Sequence, residues 1–342
     1  MKVVWSEAQL AHDPQFYLLR GNVMQNFETP ERGRVLLEAC RTLGLEVSEP
    51  AQAERSVLEK VHEAGYIDFL STAAEDWGKI PGGGLELIPS MFPTPEMFAD
   101  GVTLPAHIIG RAGWYVVGAG APISRHTWAS ARAAADCAVQ AALDVASGTK
   151  AVYALTRPPG HHAYAARASG HCFLNNAAIA AEVLRAKGVS KVGILDVDVH
   201  HGNGTQHIFW TRPDVVTVSV HGDPNYQYPW YVGLARERGA GLGQGANFNL
   251  PLEQGTGDEA WLEAISAGLK AIESCDAIIL PLGFDTSEHE PLGFFSVTET
   301  AYARLGTMLA ATKKPIVITQ EGGYCVEALG GLLTRFMQGL ED

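Results

Sequence analysis

Short runs dense in valine, isoleucine and leucine recur along the chain, at 2–6, 151–156, 191–198, 215–221, 277–283 and 315–320. Their apolar positions run together instead of alternating with polar ones, so each reads as a strand buried on both faces. Between them, alanine-rich stretches at 128–146, 175–187, 258–274 and 298–312 place apolar residues at helical spacing. Strands and helices in alternation predict an α/β fold, a mostly parallel sheet covered by helices. The segment from about 79 to 124 breaks the pattern. It contains PGGG, PSMFPTPEMF and WYVVGAGAPIS, holds no sustained helical or strand period, and reads as a long functional loop or inserted subregion. No repeat, charge block or low-complexity linker divides the chain, so one domain over 1–342 is expected.

Composition changes this picture little, and charge narrows the partners. Apolar residues make up 46% and charged residues 18% of the 342, a globular balance. No apolar run reaches the roughly 18 residues that a membrane span needs. A formal charge of −13 argues against phosphate backbones and anionic lipid, and favours cationic or neutral ligands. Glu7 interrupts the N-terminus before any apolar core of signal-peptide length, so a cytoplasmic chain is expected. Cys40, Cys137, Cys172, Cys275 and Cys325 stand singly, the pattern of reduced thiols.

In open α/β sheets, ligands bind beyond the carboxyl ends of the strands, and four of these ends carry unusual residues. The run at 191–198 leads into Asp196, Asp198 and His200 at alternate positions, which in a strand would share one face. An Asp and a His are a sound partial ligand set for zinc. The run at 277–283 leads to Asp285, either a third ligand of an open metal site or an ordinary helix cap. The run at 151–156 leads through Pro158, Pro159 and Gly160 to His161 and His162. One of these imidazoles can take a proton from water and return it to a leaving amine, while the other is oriented by a carboxylate. The last run leads to Glu321, Gly322, Gly323 and Tyr324, whose phenol could donate to an oxyanion or be plain turn structure.

Taken together, RPPGHHA at 157–163, DVDVHHGNG at 196–204, LGFDT at 282–286 and EGGY at 321–324 resemble the histone deacetylase family, as does VHEAGY at 61–66. The resemblance implies the three-layer arginase–deacetylase fold and a zinc-dependent amidohydrolase. It implies zinc on Asp198, His200 and Asp285, and His162 as general base. His161 becomes a neighbouring electrostatic or acid group backed by Asp196, and Tyr324 the carbonyl polariser. Asn203 stands where some members carry an acid, the pattern of class II and bacterial members. A structural potassium ion near Asp196, Asp198, His200, Ser219 and Val220 is implied as well, with Gly170, His171, Tyr228, Leu292 and Gly322 at the substrate.

Within the family the chain is most similar to bacterial acetylpolyamine amidohydrolases, through its insertion and HGDP at 221–224. That likeness implies a homodimer formed through 79–124. Ile109 and Gly120 stand where those enzymes place acids, and His171 replaces a more usual aromatic ring. The expected substrates are therefore acetylated polyamines, acetyl-lysine or related small amides, with weak selection for cationic ones. Glu63 and Asp100 are the acids that could substitute at the mouth. Two other readings remain open: a ureohydrolase-like enzyme with paired metals, and a small-molecule sensor without catalysis.

Overall fold

The computed structural model describes every residue except Leu292 and Asp342. Its centre is an eight-stranded sheet in the order Asn247–Leu252, Val215–Gly222, Val192–Asp196, Ala277–Leu282, Ile316–Gln320, Ala151–Ala154, Lys2–Val4 and Glu46–Ser48. Every neighbouring pair is parallel, so the sheet is wholly and not mostly parallel.

The unbroken apolar runs follow from this burial. Ile279, Ile194 and Val152 face one side, under the helices Thr127–Ala146 and Asn176–Ala186. Ile278, Leu280 and Leu195 face the other, where Asp258–Ala271, Glu299–Ala311 and Val326–Glu341 contribute Trp261, Leu305 and Phe336. Helix, sheet and helix make the three layers that the resemblance implied. Gly268 lets its helix approach the sheet closely, since a Cβ there would meet Leu195 at 2.8 Å and Val218 at 3.0 Å. No helix among the described residues is long and apolar enough to cross a membrane. All five cysteines are free.

The insertion holds more regular structure than its lack of period suggested. Pro95–Ala99 and Ile108–Tyr115 are short helices, and Val116–Val117 pairs with Ala168–Ser169. Thr94 caps the first helix and Pro95 opens it, a local signal that needs no periodicity. An antiparallel bridge between Leu87 and Ile123 joins the two ends of the segment to each other.

Candidate active site

The strands Val192–Asp196, Ala277–Leu282, Ile316–Gln320 and Ala151–Ala154 are consecutive neighbours in the sheet. Being parallel, they deliver the loops after Asp196, Leu282, Gln320 and Ala154 to one edge. That arrangement brings together residues separated by more than a hundred positions in the chain.

At the floor of this edge, one ligand atom each from Asp198, His200 and Asp285 lies within 4.8 Å of the others. His200 Nδ1 is 3.1 Å from Asp198 Oδ1 and 3.2 Å from Asp285 Oδ2. The second Asp198 oxygen accepts from Gly322 N at 2.8 Å, and Asp285 Oδ1 accepts from Val199 N at 3.0 Å. Asp285 Oδ2 is buried with no hydrogen-bond donor. Burial and the Asp198 charge push the Asp285 carboxyl above the usual carboxylate range. Burial would lower the His200 imidazole, yet the two carboxylates carry it up to about 9. Two acids crowded against one imidazole, with an oxygen left over, make a donor set that fits a divalent cation. Glycine is required at 283 and 322, where any Cβ would run into the Asp198 and Asp285 carboxylates.

Asp196 departs from the alternation argument. The regular strand ends at this residue, and its side chain turns away from the cluster to accept from His161 Nδ1 at 2.9 Å. Its other oxygen accepts from Asp198 N at 3.1 Å. The His161 and His162 rings lie against each other, tilted by 42° with centroids 4.0 Å apart, but their environments drive them in opposite directions. Burial disfavours charge on His161, and Asp196 with Asp198 outweighs it, so this imidazole is held well above its ordinary range. Burial, reinforced by His161 and His200, holds His162 well below. His162 Nδ1 donates to Asn203 Oδ1 at 2.6 Å, leaving Nε2 as its acceptor. An imidazole driven toward its charged form beside one driven toward its neutral form is a division that suits acid–base chemistry.

Several of the residues expected at the substrate stand close to these groups. Gly170 has φ +48, and a Cβ there would strike the His162 ring. Tyr228 meets His162 edge-on at 4.9 Å and shares a 2.7 Å hydrogen bond with Ser169. The rings of His171 and Tyr324 are 6.2 Å apart. Leu292 lies outside the described residues. On the insertion, Ile109 is exposed and the Gly120 carbonyl accepts from His171 N at 2.8 Å. Of the residues implied for potassium, Asp196 and Ser219 line a water-sized polar cavity that Asp198, His200 and Val220 do not border. A further grouping of His161, Cys172 and Glu321 is already committed, His161 to Asp196 and Glu321 to the Gly160 and His161 amides.

The family model for the histone deacetylase domain matches residues 26–340. The chain belongs to the histone deacetylase family. Among its relatives, acetylpolyamine amidohydrolase 2 of Pseudomonas aeruginosa is 38% identical, covering 100% of this chain and 99% of that protein. The acetylpolyamine amidohydrolase of Mycoplana ramosa is 39% identical, covering 99% of each. The crystal structure of the acetylpolyamine aminohydrolase from Burkholderia pseudomallei superposes with a TM-score of 0.95 at 38% identity, covering 99% of this chain and 98% of that one. This histone deacetylase family member is an amidohydrolase, a deacetylase acting on amide bonds.

Several residues of this deacetylase site were not singled out from sequence. Glu321 Oε2 accepts from Gly160 N at 2.7 Å and His161 N at 3.0 Å, clamping the histidine loop. Arg32 donates to the carbonyls of Gly323 and Glu321 at 2.5 and 2.6 Å and sits 4.9 Å over the Tyr324 ring. Glu28 joins Arg32 to Arg157, the residue that begins the histidine loop. Tyr164 accepts from Asn203 Nδ2 at 2.6 Å, and Tyr17 packs edge-on to His171 at 5.4 Å. Glu321 and Arg157 lie inside the quoted motifs and were available as candidates. Glu28, Arg32 and Tyr17 carried no local signal.

Proposed function

We propose that this chain is a zinc-dependent deacetylase that removes the acyl group from a small acylated amine. The observation that carries the reading is the pair of adjacent imidazoles, His161 bonded to Asp196 and His162 to Asn203, beside the Asp198–His200–Asp285 cluster. Nitrogen and oxygen donors from three residues suit zinc, which when bound supplies Lewis acidity for the amide carbonyl and acidifies a water for attack.

The residues divide the remaining work. His162 takes the proton of the attacking water on Nε2, because Nδ1 is occupied by Asn203. The same proton then passes to the leaving amine. His161, paired with Asp196, offers positive charge where the carbonyl oxygen gains negative charge. Tyr324 donates its hydroxyl to that oxygen, and burial, which raises this phenol well above its ordinary range, keeps it protonated as a donor. Gly170, His171, Tyr228, Leu292 and Gly322 form the substrate passage in this reading.

The reading extends to a structural potassium near Asp196, Asp198, His200, Ser219 and Val220, which would offset the Asp196 charge; the polar cavity at Asp196 and Ser219 supports it. It takes the chain as one catalytic domain, cytoplasmic, acting as a homodimer through 79–124. Exposed Leu85, Met91, Phe98, Leu104 and Ile109 in that segment support the last point.

Relatives named for acetylpolyamines support an acylated polyamine as substrate. Glu63 and Asp100 are both exposed, and neither sits among the tunnel groups described above. The test is a hydrolysis screen of zinc-loaded enzyme against acetylpolyamines, acyl-lysine peptides and small neutral amides, with His162→Ala in parallel. Turnover of small acylamines that collapses in the variant is expected. Tight binding without turnover of any amide would refute the reading in favour of a sensor.

A further inference from the structure

The loop that carries Tyr324 does little to fix its own course. Gly322 and Gly323 precede the tyrosine, and Gly323 lies at φ +117, a region that glycine enters without strain. Contacts from outside hold the loop as far as these glycines. Gly322 N donates to Asp198, Gln320 Nε2 donates to the carbonyls of Glu321 and Gly322, and Arg32 donates to those of Glu321 and Gly323. The backbone of Tyr324 itself is held by a different residue. Glu290 Oε1 accepts from Tyr324 N at 2.7 Å and from Cys325 N at 3.0 Å.

Glu290 follows Asp285 in the loop after Ala277–Leu282, so these two bonds tie the tyrosine loop to the loop that bears a candidate metal ligand. Its own backbone is anchored, with N donating to Ser287 O and the carbonyl accepting from Gly293 N. The side chain is buried, and charge is costly there: burial and Asp285 push its pKa up to about 7, while the two amides and Arg32 pull the other way. An apolar side chain would fill the space without that cost but would leave both amides short of an acceptor. Cys325 directly precedes the helix Val326–Glu341, so a helix cap is the plain alternative. A cap, however, serves amides of the first helical turn. The Glu290 bonds fall upstream of that turn, on the residue that carries the phenol.

We infer that Glu290 is a positioning residue for Tyr324, setting the phenol where it can donate to the substrate's carbonyl oxygen by fixing the tyrosine's own backbone amide. The inference rests on the deacetylase reading, in which that donation occurs. Its effect belongs in kcat, because the phenol's hydrogen bond strengthens as the oxygen gains charge.

The test is a double-mutant cycle of Glu290→Ala and Tyr324→Phe in zinc-loaded enzyme, assayed on an acetylated diamine and an acetyl-lysine peptide. Amide hydrogen exchange across 321–327 and zinc content are measured on the same samples. Glu290→Ala should lower kcat by roughly 10²-fold, the scale of a small misplacement, with KM within about twofold of wild type. Zinc content should be unchanged, and exchange at Tyr324 and Cys325 should accelerate. In the Tyr324→Phe background the same substitution should cost less than about threefold, since no phenol remains to be placed. Glu290→Gln, which keeps an oxygen for both amides, should recover most of the loss. If Glu290→Ala does not fold, Glu290→Asp, one methylene too short, takes its place in the cycle with the same expected pattern. An equal loss in both backgrounds overturns the inference and leaves the carboxylate as a helix cap. A kcat within about twofold of wild type, a loss without faster exchange, or a loss of zinc overturns it too. Absence of wild-type turnover on both substrates overturns the deacetylase reading, and the inference with it.

Discussion

Replacing Glu28 with alanine tests how the two catalytic loops are held together. Glu28 is fully buried, and its Oε1 lies 2.9 Å from Arg32 Nη1 and 2.8 Å from Arg157 Nε. Arg157 otherwise spends its N–H groups on the carbonyls of Gln9, His12, Glu28 and Thr29, and Arg32 on those of Glu321 and Gly323. Without the carboxylate, two guanidinium ions face each other in a dry interior, and breaking a buried pair from one side costs about 3–5 kcal/mol. For 342 residues the unfolding entropy near the melting point is roughly 0.7 kcal/mol per kelvin, which converts that cost to a Tm lowered by about 4–7 °C. Differential scanning calorimetry of the wild type, Glu28→Ala and Glu28→Gln reads the shift directly. Glutamine keeps the volume and one acceptor, so its Tm should fall between the other two. A Glu28→Ala melting point within about 1 °C of wild type would refute the pairing as a source of stability.

Other expectations concern the site itself and one buried histidine. Asp285→Ala should lose metal and activity together, because one of three protein ligands is gone; full zinc content with full activity, measured by elemental analysis and turnover, would remove Asp285 from the ligand set. Tyr324→Phe should fold and keep its metal but lose on the order of 10²–10³ in kcat, the scale of one oxyanion donor, and a loss below about tenfold would reduce the phenol to packing. His62 is buried with its pKa lowered to about 4 chiefly by desolvation, and its Nε2 accepts from Asn175 N. Since its folded value lies below the unfolded one, its contribution is complete above about pH 6.5 and is lost as pH falls toward 4. The stability gap between wild type and His62→Gln in urea should therefore shrink by about 2 kcal/mol from pH 7 to pH 5; a gap independent of pH would contradict this.

The sheet's interior was legible because burial on both faces leaves a local mark. Six apolar runs became strands, five of them shortened by a residue or two at one or both ends and the one at 215 lengthened by a residue, and the four alanine-rich stretches became helices. The two remaining strands, Glu46–Ser48 and Asn247–Leu252, form the sheet's edges, where half-exposure dilutes that mark. Pro30–Thr42, Ala64–Trp77 and Val326–Glu341 became helices outside the alanine-rich stretches.

The site divides in the same way. Asp198, His200, Asp285, His161, His162 and Tyr324 could be read in sequence, because each closes a strand and sits among glycines or prolines that a strand end needs. Local pattern grouped Asp196 with Asp198 and His200, and only the packed structure turned it to His161, since alternation stops where the regular strand stops. Tertiary structure alone decided that Arg32 reaches Gly323 across 291 positions, and that Glu28 reaches Arg157 across 129. Those contacts carry no periodicity and no turn chemistry, because the partners of a buried guanidinium are specified by where two loops meet and not by either loop. Charge on the imidazoles belongs to the same class. HH in a sequence is two equal rings, and they are driven in opposite directions only once folding sets Asp196 and Asp198 against His161 and buries His162 beside His161 and His200.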